Sequence, residues 1–284
     1  MSFAKGARLG IAHPVPPPPH PMLGEARATT HRVARTFSIA SRLLPGAVRD
    51  DVYLLYLVFR SLDDLVDEGR AEAGARVEAV AAWAEGRAGE RTREVDVLGA
   101  LGARHALPRK AVAEFCAGMR QDLARETFAT EADVDRYCYR VAGTVGLVMT
   151  AVLGAHDLHR ARPAAVALGI AMQRTNILRD IDEDAANGRV FLAQEAVLRH
   201  GPPQPGRRAE LLREQIAYAD GLYAHGLAGV GELRSGGRAI AAAGAMYREI
   251  LREIERDGYG ATVGRAHVPW PRKLAVAAGA AWRA

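Results

Sequence analysis

The sequence predicts an all-α protein built as a single domain. Apolar residues recur with helical spacing through nearly the whole chain, Pro and Gly residues break that pattern at intervals, and no stretch alternates as a strand does. No internal repeat divides it. With 284 residues, 49% of them hydrophobic, the chain is long enough to bury one large core.

Residues 1–24 stand apart. They contain PVPPPPHP, a polyproline stretch that cannot pack a core and is expected to be a disordered or extended arm; the folded domain is expected over residues 25–284. A first helix follows through ARTFSIASRLLP and stops at Pro45 and Gly46. A second, over 47–68, carries Val52, Leu55, Val58, Phe59 and Leu62 and ends in Asp63, Asp64, Asp67 and Glu68. Amphipathic patterns over 72–89 and 92–105 predict two scaffold helices, and Pro108 at an N1-like position opens another to about residue 126. Residues 133–153 read as one apolar helix, in which Ala142, Gly143, Thr144 and Gly146 cluster. Glycine inside a helix costs about 1 kcal/mol relative to Ala, so the cluster marks either a kink or a close approach by another backbone or a ligand.

The next helix, over 163–184, ends at Gly188. Pro202, Pro203 and Pro205 between Gly201 and Gly206 then require a loop, which serves as a lid or as a plain connector. Helices over 208–233 and 238–257 follow, and the ending VPWPRKLAVAAGAAW suits a short amphipathic helix.

The formal charge is +5, and nearly all of the basic charge is Arg, with Lys only at Lys5, Lys110 and Lys273. Such a surface favours anionic substrates or anionic lipid headgroups, and no nucleic-acid partner is expected. Cys116 and Cys138 fall within apolar helical patterns and make no disulfide framework, which suits a reducing cytosol. The N-terminus lacks a signal-peptide run, and no stretch reaches the roughly 18 uncharged apolar residues of a membrane span. A cytoplasmic protein, peripheral to a membrane at most, is expected.

The stretch QRTNILRDIDED concentrates the chemistry. Asn176, Asp180 and Asp184 are spaced by four, so on one helix they form a ladder rising ~6 Å per step on nearly one face. Ile177, Leu178 and Ile181 between them are apolar, which sets the ladder at the edge of a buried surface. The acids of RSLDDLVDE form a second stripe at a helix C-terminus, where negative charge costs ~0.3–1 kcal/mol per residue and a bound cation relieves it. Acidic residues at helical spacing most often make a solvated face. Two such stripes flanked by core residues instead suit hard divalent ions such as Mg2+, which take carboxylate and amide oxygens and leave positions for phosphate. A diphosphate held between metal ions is the substrate group this implies.

In order along the chain, ARTFSIASRLLP, LVFRSLDDLVDE, YCYRVAGTVGLVMTAVLG, MQRTNILRDIDEDAANGRVFL, MYREILREIE and RAHVPWPRKL resemble the squalene and phytoene synthase family of head-to-head prenyl synthases. Within it, the third motif and the ending look more like bacterial phytoene synthases. The resemblance implies an all-α class I isoprenoid synthase fold with a central hydrophobic cavity and a cluster of Mg2+ ions, for which Mn2+ can substitute. Asp63, Asp64 and Asp67 match the first metal-binding motif, and Asn176, Asp180 and Asp184 match the second. Of these, Asp63, Asp67, Asp180 and Asp184 are the expected catalytic acids, and Asn176 also contacts substrate. Gln173 matches the glutamine before the second motif; Arg35, Arg60 and, less closely, Arg265 match diphosphate contacts; Tyr247 matches a tyrosine near the diphosphate end. Tyr137 matches a tyrosine implicated in the reaction, with Tyr139 as its substitute.

Departures from the family pattern are YLVFR for YAFCR, MQRTN for LQLTN, and Ala193 where Pro is usual. None removes a metal ligand. Arg174 lies ~100° around the helix from Gln173 and is expected to point out of the cavity; Arg179 and Glu183 are expected to pair at i,i+4.

The reaction implied is condensation of two geranylgeranyl diphosphates to phytoene through prephytoene diphosphate, without NADPH. The rival is the same chemistry on farnesyl diphosphate, ending at presqualene diphosphate, dehydrosqualene, hydroxysqualene or squalene. A non-catalytic isoprenoid-binding or assembly protein of the same fold is a third reading. Because the product is nearly insoluble, the basic surface and amphipathic tail are expected to bring the cavity mouth to a membrane, where downstream isoprenoid enzymes are candidate partners.

Overall fold

Local capping chemistry sets the boundaries of most helices. Thr92 accepts from the Val95 amide at the head of one helix, and Thr130 and Asp133 form a reciprocal capping box at the head of another. Asp157 accepts from the His159 and Arg160 amides. Gly86 and Gly201, at φ 72° and 88°, end their helices where an L side chain is strained. The computed structural model describes residues 20–33 and 35–284, with the side chains of Val33 and Arg35 also outside the described set.

The helices are α1 (Leu23–Val33), α2 (Arg35–Ser41), α3 (Gly46–Asp67), α4 (Ala73–Glu85), α5 (Arg93–Gly102), α6 (Arg109–Leu123), α7 (Glu131–Cys138), α8 (Thr144–Leu153), α9 (Leu158–Arg179), α10 (Ile181–Ala186), α11 (Gln194–His200), α12 (Ala209–Ala228), α13 (Gly237–Arg256) and α14 (Trp270–Arg283). Among the described residues there is no strand, only a bridge between Ala155 and Leu233. None of these helices is long and apolar enough to cross a membrane.

Most of the expected arm lies outside the described residues, and α1 begins inside its boundary, at Leu23. Three expected helices are interrupted. Residues 133–153 divide into α7, a π-helical turn at Tyr139–Gly143, and α8. Asp180, at φ −100° and ψ 9°, separates α9 from α10. Residues 208–233 divide into α12 and a 3₁₀ turn, Val230–Glu232. Helix α11 had no counterpart in the sequence reading, and the proline loop after it is tethered. The guanidinium of Arg208, 2% exposed, binds both carboxylate oxygens of Asp182 at 2.5 and 2.8 Å and donates to the carbonyls of Gly260 and Thr262.

Two apolar cores result. One joins α3, α4, α5, α6 and α8, with Phe59 and Phe115 edge to face at 4.6 Å. The other joins α7, α9, α12 and α13. They meet where α8 and the π turn cross α9, and glycine permits that crossing. A Cβ on Gly146 would stand 2.5 Å from the carbonyl oxygen of Ala165, and one on Gly169 would stand 2.5 Å from that of Ala142. The cluster read as either a kink or a close approach is both, since the π turn carries an extra residue and the glycines bring the backbones together.

Gly169→Ala is expected to lose about 1–3 kcal/mol through this backbone clash, a fall of roughly 2–10 °C in thermal midpoint for a chain of this size. Circular dichroism melts measure it, and an unchanged midpoint would show that α9 can shift without cost.

Candidate active site

Between the two cores lies a cavity of about 760 Å³, apolar along its length and charged at one end. Leu55, Phe59, Phe115, Val145, Met149 and Leu168 line its body. At the charged end, α3 supplies Arg60 and Asp63, and α9 supplies Gln173, Asn176 and Arg179. Helix α13 adds Tyr247, and the segment before α14 adds Arg265. The C-terminal ends of α3 and α9 thus converge on one mouth, where Asp63 and Asn176 are the stripe residues that line the cavity, while Asp180 caps α9 and Asp184 lies in α10.

Arginines hold the acids there. Arg60 binds Asp63 at 3.0 Å and also pairs with Asp64. Asp180 receives Arg179 at 2.6 and 2.8 Å and Arg265 at 2.8 Å. The expected Arg179–Glu183 pair does not form, because the helix ends between the two; Arg265 reaches Glu183 instead, at 3.7 Å. Among the described residues no three Asp, Glu, His or Cys side chains converge as a ready metal cage.

The arginines offset only part of the burial and repulsion at these acids. Asp63 is pushed up to about 7, first by burial and then by Asp67. Its side chain is 42% accessible, but that surface faces the protein-lined cavity, so hydration is poor despite access. Burial raises Asp67 as well. Asp184 is pushed up to about 6 by burial and then by Asp180, with the charge on Asp67 reaching it from the other stripe. Two buried polar atoms at this end have no partner: Arg60 Nε, a donor, and Asn176 Oδ1, an acceptor. The amide nitrogen of Asn176 donates to Gln173 Oε1 at 3.2 Å, which orients the free oxygen.

Tyr137 lines the cavity, whereas Tyr139 falls in the π turn and does not. The Tyr137 hydroxyl donates to both oxygens of Asp122, at 3.1 and 3.2 Å, and its ring stacks on Phe191 at 5.4 Å. Burial, with Asp122 adding, raises its pKa well above the ordinary phenol value, so Tyr137 is neutral. Asp122, at the end of α6, was missed by sequence reasoning, as was its partner Arg189, which binds it at 2.5 Å. Burial pushes Asp122 up to about 6 against the pull of Arg189. A buried Asp demands such a partner, but nothing near it in sequence names an Arg that lies sixty-seven residues on.

The other expected residues are placed as follows. Tyr247 lines the charged end of the cavity beside Arg179. Arg35 opens α2, and its side chain lies outside the described residues. Arg174 points out of the cavity as expected, into a buried network with Glu131, Asp135 and Gln215 at 2.8–2.9 Å.

A helical fold with paired acidic stripes at the mouth of an apolar cavity defines an all-α isoprenoid synthase. In solved structures the same fold recurs in a dehydrosqualene synthase (TM-score 0.83, 24% identity, covering 92% of this chain and 95% of that one) and in a squalene synthase from Alicyclobacillus acidocaldarius (TM-score 0.73, 23% identity, 84% and 95%). The chain belongs to the squalene/phytoene synthase family of prenyltransferases, whose model matches residues 30–273. It is 36% identical to a phytoene synthase of Arthrospira platensis over 87% of this chain and 88% of that one. With a phytoene synthase of Thermus thermophilus it shares 37% identity over 84% and 86%, and with a 15-cis-phytoene synthase of Synechococcus elongatus 34% over 88% and 89%.

The raised carboxyls make stability depend on pH. Asp63, Asp122 and Asp184, at about 7, 6 and 6 in the fold, bind protons more tightly than in the unfolded chain, where an Asp titrates near ~3.9. Their stabilising protonation is therefore complete below the unfolded value and is lost as pH rises through 6 to 7. In EDTA the thermal midpoint is expected to be higher at about pH 5.5 than at about pH 8. A flat profile across that window would mean that the acids are not crowded.

Proposed function

We propose that this protein condenses two geranylgeranyl diphosphates head to head into phytoene, through prephytoene diphosphate. The observation that carries this reading is the joining of a long apolar cavity to paired oxygen-rich stripes in a chain 34–37% identical to phytoene synthases over most of its length. The donor set fits a hard divalent cation: all the ligands are oxygens, one buried amide oxygen lacks a partner, and like-charged carboxyls are crowded. Asp63, Asp64 and Asp67 would hold Mg2+ or Mn2+ on one side, and Asn176, Asp180 and Asp184 on the other. When bound, the ion neutralises charge on a departing diphosphate.

The chain's own groups do the rest. Arg60 offers an unpaired buried N–H toward the mouth, and Arg35 and Arg265 add cationic contacts to the diphosphate. Gln173 orients Asn176. With the first diphosphate ionised, the allylic cation lies among Phe59, Phe115 and Leu168, where water is excluded and the second substrate's double bond attacks it. Closure of the cyclopropane ring expels one proton, which the released diphosphate can accept; the cyclopropylcarbinyl diphosphate then ionises in turn, and rearrangement and loss of a second proton complete the product. Tyr137 keeps an oxygen lone pair available because its own proton points at Asp122. It can therefore take a proton from the last cation while passing its own to the carboxylate, which titrates near pH 6. The reaction as written needs no reductant. The exposed apolar residues of α14, Trp270, Leu274 and Trp282, suit contact with the inner face of a membrane, which co-flotation with anionic vesicles tests.

Purified protein with Mg2+ and labelled geranylgeranyl or farnesyl diphosphate, with and without NADPH, is expected to give a forty-carbon hydrocarbon without NADPH. A thirty-carbon product moves the enzyme to the farnesyl reading, and inactivity on both substrates favours a binding protein. Asp67→Ala and Asp180→Ala are each expected to lower turnover about a hundredfold or more while keeping the helical fold. Each should also weaken the rise in thermal midpoint that Mg2+ gives at about pH 8, a readout independent of activity. Near-normal rates and an unchanged Mg2+ response in both would remove these acids from the site.

A further inference from the structure

A second cavity, of about 650 Å³, lies between α13 and α14. Helix α13 is the wall between the two spaces. Its Ile240, Ala243 and Tyr247 line the catalytic cavity, while its Ala241 and Ala245 line the groove opposite Val276 and Ala280 of α14. At one place a single side chain serves both: Val230, in the 3₁₀ turn before α13, lines each of them. The partition there is thin. Val230 is buried with only Ala241 and Ala280, and Leu227, Ile240 and Ala245 pack around them.

This contact point is at the far end from the acids. Gly229, beside Val230, approaches so closely that a Cβ on it would overlap Ala164, and Ala164 precedes Asp180 by sixteen positions on α9, roughly 24 Å of helix. A forty-carbon hydrocarbon that has lost both diphosphates has nothing to offer the charged mouth, and leaving that way drags an apolar chain past Arg60, Asp63 and Arg179, which it cannot hydrogen-bond. The groove offers an apolar alternative. Of the charged residues that also line it, Arg248, Glu249, Arg252 and Arg283, Arg248 and Arg252 are already bound to Asp220 at 2.7 and 2.5 Å, and Glu249 is bound to Arg256 at 2.7 Å. Its outer wall is α14, whose solvent face carries Leu274 and Trp282, the latter 91% exposed. From Gly258 to Ala284 the chain contains no Asp or Glu, which suits an anionic lipid surface.

We propose that the groove between α13 and α14 binds the departing isoprenoid hydrocarbon, receiving its apolar end past Val230 and passing it to a lipid surface at α14. The proposal rests on the condensation reading above. Release of such a product is expected to limit turnover, so filling the groove should slow release and spare chemistry. Ala245→Trp and Val276→Trp fill it from opposite walls, at positions that line the groove and not the catalytic cavity, so one variant can replace the other if it fails to fold. Diphosphate release is measured with enzyme in excess over geranylgeranyl diphosphate, and again at steady state with vesicles of phosphatidylcholine and phosphatidylglycerol as acceptor. Single-turnover rates are expected within about twofold of wild type and steady-state rates about tenfold lower, with forty-carbon product retained on the protein. Steady-state rates equal to wild type, or equal losses in both regimes, overturn the outlet alone. A wild-type protein that releases no diphosphate overturns the condensation reading and takes the outlet with it.

Discussion

The central constraint is the placing of several carboxylates at the rim of a cavity that must keep water out. Each acid drawn from solvent raises its neighbours' pKa, and the consequence is visible at Asp63, Asp67 and Asp184. Arginine is the counterweight. Arg60, Arg179, Arg189 and Arg265 each hold an acid in or beside the two stripes. The resting site is thus partly neutralised by arginine side chains, and among them Arg60 keeps a buried Nε–H without a partner.

The apolar part of the cavity depends on backbone geometry. Gly146 and Gly169 let α8 and the π turn lie against α9 with carbonyl oxygens where side chains would otherwise stand. Only one of the two tyrosines at the start of that turn faces inward, because residues two apart on a helix point about 200° apart. Tyr137 enters the cavity beside Phe191 and Asp122, and Tyr139, two residues on, lies in the turn itself.

Helical periodicity made the fold legible, and the motif series made the two acidic stripes and their family legible, because both are local patterns. The Asn176, Asp180 and Asp184 ladder was drawn on one unbroken helix, whereas the chain bends at Asp180. That bend arises where Asp180 is gripped by Arg265 from a distant segment, and spacing alone carries no trace of it. Asp122 and Arg189 were illegible for the same reason: their pairing exists only once α6 and the segment after α10 are brought together. Arg174, by contrast, was readable from its angle around α9, and its burial among Glu131, Asp135 and Gln215 agrees with that angle.

Asp182 lies within the same acidic run as Asp180 and Asp184 but faces another duty. Its carboxylate accepts the Arg208 guanidinium and the Gly264 amide, at 3.0 Å for the latter, and so fastens α10 to the segment that carries Arg265. One short helix therefore has a chemical side and a mechanical side, divided at alternate residues. Loss of the Asp182 carboxylate would leave every proposed metal ligand in place and loosen the frame that aims them, so an inactive protein altered there would be a fault of alignment and not of charge.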